Sequence, residues 1–127
     1  MLIPADDGVA VVVCTTCRAG QDGDGAALAA ALHRVRAADP ALHGVAVQEM
    51  ACLFACRDAC TVHLRGAGRI GYVLGRFVPG EAAARAILDY ARAYAESTDG
   101  EVAFADWPEG VKGHFLVRLP PPGYLVR

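Results

Sequence analysis

Five cysteines are the residues of this chain whose type and spacing point to chemistry. Two of them stand three positions apart in the motif CTTC, directly after an apolar β-branched run, and three follow later at intervals of four: Cys14 and Cys17, then Cys52, Cys56 and Cys60. Thiolates grouped in this way serve as redox dithiols, as zinc ligands or as ligands of iron-sulfur clusters.

Length and composition predict one soluble domain over residues 1–127. A chain with 54% hydrophobic residues can bury an ordinary core, and a net charge of -2 without a basic run argues against nucleic-acid binding. The N-terminal stretch MLIPADDG lacks the basic residues of a secretory signal, and the longest apolar run is too short to cross a membrane. We therefore expect a cytoplasmic protein, and in that reducing compartment an odd number of cysteines favours metal binding or catalysis over disulfides.

The first cysteine pair follows a predicted strand over residues 9–13, whose continuous apolar character is typical of a strand buried on both faces. A polar, glycine-rich loop over residues 18–25 then closes with Asp24, a suitable N-cap for a helix that ends at Asp39 and Pro40. A second strand over residues 44–49 leads to the second cysteine group. Parallel strands joined by a helix place their carboxyl ends at one edge of a sheet, so we expect the two cysteine groups to face each other.

The second half of the chain predicts a hairpin and a long helix. Strand patterns at 61–65 and 69–75 flank a glycine-containing turn, and a helical pattern runs from Glu81 to Ser97. The order β-α-β-β-β-α predicts an α/β protein with a small mixed sheet flanked by helices and a core over about residues 8–100. Trp107 and the prolines near residue 120 favour an extended or polyproline tail over 101–127.

Three thiol chemistries compete for these residues. Dithiol exchange through Cys14 and Cys17 needs a thiol at a helix N-terminus, and the helix here begins late. Zinc ribbons repeat C-x-x-C over a shorter gap than the one between these two cysteine groups. A zinc site made of four thiolates outside that motif is still an alternative. A cluster needs four thiolates converging from loops, which two neighbouring strand ends supply, but the bacterial and plant-type ferredoxin spacings are both absent. The four histidines show no ligand spacing, and no serine, histidine and acid arrangement suggests hydrolysis.

Several motifs together resemble a bacterial family of uncharacterised, predicted metal-binding proteins related to the thioredoxin-like 2Fe-2S ferredoxins. They are CTTCR, CLFAC with a further cysteine four residues on, GYVLGRF, and the late VRLPPP. The resemblance runs from Val9 to Pro121. It implies a thioredoxin-like sheet and one 2Fe-2S cluster, and it hints at a role linked to cobalamin metabolism because some members are encoded near genes for cobalamin biosynthesis.

The same resemblance assigns ligands residue by residue. Cys14 matches the first ligand, and Cys52 and Cys56 match the family's C-L-x-x-C pair. Cys17 is the expected fourth ligand, and Cys60 is its alternative. Taken only as a residue type, Cys60 is as readily a small buried core residue as a ligand.

The sequence thus favours a non-enzymatic electron-transfer or redox-sensing protein that holds a 2Fe-2S cluster and works with a redox partner protein. One alternative is a protein whose thiolates bind or deliver zinc, copper or cobalt. Soft sulfur ligands bind such metals as well as iron-sulfur clusters, so the residues alone do not distinguish them. Another is a dithiol oxidoreductase using Cys14 and Cys17. A homodimer through the edge of the hairpin is compatible with the sequence, because an open sheet edge invites pairing.

Overall fold

The structure of the chain is a computed structural model that describes residues 1–18, 20 and 23–127. Within these residues a five-stranded sheet carries two helices. The strands are β1 (Ala10–Cys14), β2 (Ala46–Met50), β3 (Val62–Arg65), β4 (Gly71–Leu74) and β5 (Phe115–Leu119), and the helices are α1 (Asp24–Ala38) and α2 (Glu81–Glu96). The predicted α/β class and the predicted order of the first six elements are confirmed.

The sheet is mixed, with strand order β2-β1-β3-β4-β5. β1 pairs in parallel with β2, and the other neighbours pair antiparallel. The predicted parallel crossover and the predicted hairpin of β3 and β4 are therefore both present. Because β3 runs opposite to β1, its amino end lies at the edge of the sheet where β1 and β2 end.

Both helices pack against one another and against β1 in a single apolar core. All five residues of β1 are buried, as the predicted two-sided burial requires. Leu28 and Leu32 of α1 and Ile87 of α2 lie in the same cluster as Val11. Burying one such side chain contributes about 1.5–3 kcal/mol, so the core holds the end of β1 firmly in place.

The start of α1 differs from the prediction. Gly23, in the left-handed region with φ 87, occupies the N-cap position, and Asp24 is the first helical residue rather than the cap. The left-handed conformation carries no steric cost for glycine, which explains the difference. Residues 19, 21 and 22 of the predicted loop lie outside the described residues. The second cysteine group lies outside both helices, and a single 3-10 turn, Cys56–Asp58, is the helical structure there.

The C-terminal segment forms more structure than the predicted extended tail. Its residues 115–119 form β5, which pairs with β4 and covers the hairpin edge that the sequence suggested as a dimer contact. Trp107 holds the preceding segment in place, because its ring packs 4.6 Å from the Phe115 ring and 5.8 Å from the Tyr90 ring, measured between centroids. The outer edges of the sheet are thus those of β2 and β5, and a homodimer stays a prediction. No helix among the described residues has the length and apolar character needed to span a membrane.

Removing the Tyr94 hydroxyl should destabilise the fold. The hydroxyl of this fully buried residue donates to the Ile70 carbonyl at 2.5 Å, so Tyr94→Phe leaves a buried acceptor unpaired. We expect a loss of about 1–3 kcal/mol in the free energy of unfolding, measured by urea denaturation. Tyr124→Phe, at a ring that is 71% exposed, is the control and should change little. An unchanged transition for Tyr94→Phe would contradict the expectation.

Burial also makes Tyr94 a source of instability at high pH. It raises the pKa of this phenol from 10.0 to about 12. A raised folded-state pKa stabilises the fold below the unfolded value, so this contribution is lost as pH rises from 10 through about 12. Tyr94→Phe should therefore unfold less steeply with alkaline pH than the parent chain.

Candidate functional site

The five cysteines lie along the side of the sheet where the strands β1 and β2 end and β3 begins. Cys14 is the last residue of β1 and is in register with Met50, the last residue of β2. Two backbone hydrogen bonds hold this end of β1 on both sides: Cys14 N–H donates to Thr61 at 3.1 Å, and Thr15 N–H donates to Met50 at 2.9 Å. The CTTC turn therefore sits between the chain that leaves β2 and the chain that enters β3.

Cys14 and Cys17 form a buried pair, 1% and 2% exposed. The two thiols are close enough to shift each other's pKa. Burial raises the pKa of Cys14, but interactions with the Cys17 thiol and the Leu53 backbone outweigh it, so the pKa of Cys14 is lowered. Burial also raises the pKa of Cys17, and because it is the largest effect there, the pKa of Cys17 is raised overall. Cys14 is thus the more readily ionised member of the pair.

A second pair, Cys52 and Cys56, lies in the loop that follows β2. Cys52 is half-buried and Cys56 is exposed. The pKa of Cys56 is raised, first by its hydrogen bond with Cys52, then by the charge of Cys52, with the charge of Cys14 as a smaller cause. The Cys14 sulfur lies 3.7 Å from the carbonyl oxygen of Ala51, the residue before Cys52, so the two cysteine groups face each other as predicted.

A backbone amide points at a sulfur in this loop. Phe54, in the left-handed region with φ 58, donates its N–H to the Cys52 sulfur at 3.3 Å. Amides aimed at cysteine sulfur are typical of loops that bind iron-sulfur clusters, where they stabilise negative charge on the ligand. The sequence gives no signal for this turn, because phenylalanine rarely adopts a left-handed conformation.

Cys60 is the third buried cysteine at this site. Its burial, with added contributions from the charges of Cys17, Asp24 and Cys14, raises its pKa to about 11. Burial raises the pKa of Cys17 as well, but its hydrogen bond with the Thr61 hydroxyl acts in the opposite direction. Both residues thus lie in the apolar core, where the Thr61 hydroxyl is a polar partner of the Cys17 sulfur.

The start of α1 lies directly on the CTTC turn. Gly25 donates its N–H to the Cys17 carbonyl at 2.9 Å, and a Cβ at this glycine would lie 2.3 Å from the Cys14 carbonyl oxygen. Our expectation that the helix begins too late to reach the cysteines is wrong, because these contacts place the first turn of α1 against the CTTC turn. What opposes dithiol exchange is access: an incoming sulfur must reach a thiol, and both are at most 2% exposed.

These contacts bring together Cys14 with Cys17 and Cys52 with Cys56, with the two pairs adjacent. Across residues 1–18, 20 and 23–127, no three His, Cys, Asp or Glu side chains are arranged to hold a single metal ion. The sequence reasoning did not single out Thr61, Thr16 or Gly25, because each contacts a cysteine only through the tertiary fold.

Comparisons with known proteins give one family and one fold. The model of a family described as "Protein of unknown function (DUF1636)" matches residues 11–121. A comparison with curated proteins finds no match. Among solved structures, a thioredoxin-like [2Fe-2S] ferredoxin from Aquifex aeolicus is similar, with a TM-score of 0.57 and 16% identity, over 94% of this chain and 100% of that one. At this identity the similarity establishes the thioredoxin-like fold that the sequence predicted.

Proposed function

This chain belongs to the family described as protein of unknown function (DUF1636), and we propose that it binds a [2Fe-2S] cluster and acts as a one-electron carrier or redox sensor. The observation that carries the proposal is the arrangement of four thiols as two adjacent pairs at one edge of a sheet. The fold is that of a protein described as a [2Fe-2S] ferredoxin. The proposed ligands are Cys14, Cys17, Cys52 and Cys56.

The donor set fits such a cluster in kind and in number. Each of the two irons takes two cysteine thiolates, and the chain offers two thiol pairs. Thiolates are soft ligands that select iron-sulfur clusters, zinc and copper(I) over hard cations. The Phe54 N–H already donates to the Cys52 sulfur, so part of the hydrogen bonding that such ligands need is in place.

The surrounding protein would act by ligation, burial and hydrogen bonding. A bound [2Fe-2S] cluster supplies a centre that gains and loses single electrons. Cys14 and Cys17 lie against the core and exclude water from the inner side of the site. Cys56 is exposed, so the outer side of the site is the side from which a redox partner has access. We place this activity in the cytoplasm, and it needs no substrate pocket.

A thiolate site for a single metal such as zinc is the second candidate. The interaction of Cys56 with both Cys52 and Cys14 supports it. Because no three His, Cys, Asp or Glu side chains of the described residues surround one point, the two pairs would have to move together around the ion. Tetrahedral zinc requires four ligand sulfurs at about 2.3 Å from one ion. The two candidates therefore use the same residues and differ in what those residues hold.

The test is the composition of the protein purified without oxygen. We expect broad visible absorption from sulfur-to-iron charge transfer, and two irons with two acid-labile sulfides per chain. Zinc is counted in the same sample. A colourless protein with one zinc per chain would replace the cluster with the second candidate. A protein without metal even after reconstitution with iron and sulfide would overturn both.

A further inference from the structure

Apart from tyrosine and cysteine, Thr61 is the only residue with a polar side chain in the fully buried part of the described chain. It directly precedes β3, and both its backbone carbonyl and its hydroxyl contact the cysteine site. Its carbonyl accepts the Cys14 N–H at 3.1 Å, and its hydroxyl oxygen lies 3.3 Å from the Cys17 sulfur. Buried hydroxyls are costly unless they are hydrogen-bonded, so this contact accounts for a polar side chain in an apolar setting.

The two γ substituents of Thr61 face different parts of the site. Its hydroxyl faces Cys17, and its γ-methyl lies on the side of Gly75, where an added Cβ would lie only 3.1 Å from it. Both γ substituents of a β-branched residue turn together about one bond, so the position of the methyl sets that of the hydroxyl. With the methyl beside Gly75, directly after β4, the hydroxyl faces Cys17.

The direction of the hydrogen bond follows from the state of Cys17. In the free protein either atom can donate. A cysteine that ligates iron is a thiolate without a proton, so the Thr61 hydroxyl must then donate to the sulfur. Such a bond stabilises the more electron-rich reduced state, and in a buried setting with low dielectric constant it acts more strongly than in water.

We infer that Thr61 is a positioning residue that raises the reduction potential of the centre by donating its hydroxyl hydrogen bond to Cys17. The inference rests on the proposed cluster and adds to it a residue that tunes the site. It singles out Thr61 among the neighbouring threonines. Thr16 lies 3.7 Å from the Cys14 sulfur but donates its proton to the Ala51 carbonyl. Thr15 is within reach of the Met50 carbonyl at 3.4 Å.

The experiment compares three variants of the cluster-loaded protein in a redox titration followed by visible absorption. Thr61→Val keeps the shape and removes the hydroxyl. We expect the ratio of reduced to oxidised protein at a fixed potential to fall about tenfold, which equals about 59 mV for one electron. Thr61→Ser keeps the hydroxyl and should lie closer to the parent than Thr61→Val. Thr98→Val, at an exposed threonine just after α2, is the control and should titrate like the parent.

The outcomes separate this inference from the proposed function. If the parent assembles a cluster and Thr61→Val titrates like it, Thr61 serves only packing and the inference is overturned while the proposed function stands. If Thr61→Val fails to fold, the comparison of Thr61→Ser with Thr61→Ala decides, and equal potentials in those two overturn the inference. If the parent assembles no cluster, the proposed function fails at the earlier measurement of iron and sulfide.

Discussion

Replacing Cys14, Cys52 or Cys56 by serine is expected to abolish cluster assembly. A serine oxygen at any of these positions removes a soft thiolate ligand. Changing residues that merely support a metal ligand already lowers metal affinity by about 10–100-fold, so loss of a ligand itself should lower the bound iron and sulfide by at least about tenfold. The measurement is the iron and sulfide content of each variant after anaerobic purification, with folding checked by circular dichroism.

The comparison of Cys17 with Cys60 gives this series its sharpest control. Cys60 is not among the proposed ligands and alanine suits a fully buried position, so Cys60→Ala should keep the cluster. Cys17→Ser should lose it. The two residues are both buried cysteines at the same edge of the sheet, so they are matched in residue type and in burial. Loss of the cluster in Cys60→Ala together with retention in Cys17→Ser would show that Cys60 is the fourth ligand.

The second large effect is expected from Gly25→Ala, which adds a methyl group where α1 meets the CTTC turn. That group would lie 2.3 Å from the Cys14 carbonyl oxygen and 2.8 Å from the Cys17 nitrogen. Both atoms belong to the backbone, so no side-chain rotation relieves the clash. We expect a loss of about 1–3 kcal/mol in the free energy of unfolding, and reduced cluster content because the turn must shift.

Gly44→Ala is the matched control for this substitution. A Cβ at Gly44 meets nothing within 4 Å, so the same chemical change there should alter the free energy of unfolding by no more than about 0.5 kcal/mol. Urea denaturation of the metal-free variants separates the effect on folding from the effect on the cluster. Equal stability of the two glycine variants would show that the turn accommodates the methyl group.

The sequence by itself determined the local elements and the candidate ligands. The apolar run before Cys14 predicts a buried strand because continuous hydrophobicity is typical of a strand covered on both faces, and all five residues of β1 are buried. Helix α2 follows from its apolar spacing, with Ile87, Ala91 and Tyr94 all buried. The parallel crossover follows from the order strand, helix, strand, and it brings both cysteine groups to one edge.

Local pattern did not predict the elements that depend on partners distant in the chain. β5 is short and precedes a run of prolines, so its sequence alone resembles an extended tail. It forms a strand because it pairs with β4. The return of α1 to the cysteine turn depends on the missing side chain of Gly25. Asp24 resembles an N-cap by residue type, yet the left-handed glycine before it takes that position.

The surroundings of each cysteine were decided by the tertiary structure alone. From the sequence, Cys17 is the expected fourth ligand and Cys60 is its alternative, because both are thiols near other thiols. Both are buried in the apolar core, and the tertiary contact that distinguishes Cys17 is the Thr61 hydroxyl, which lies 3.3 Å from its sulfur. The reason is physical, since desolvation and hydrogen bonding set the charge of a thiol, and both are properties of the packed protein rather than of residue type.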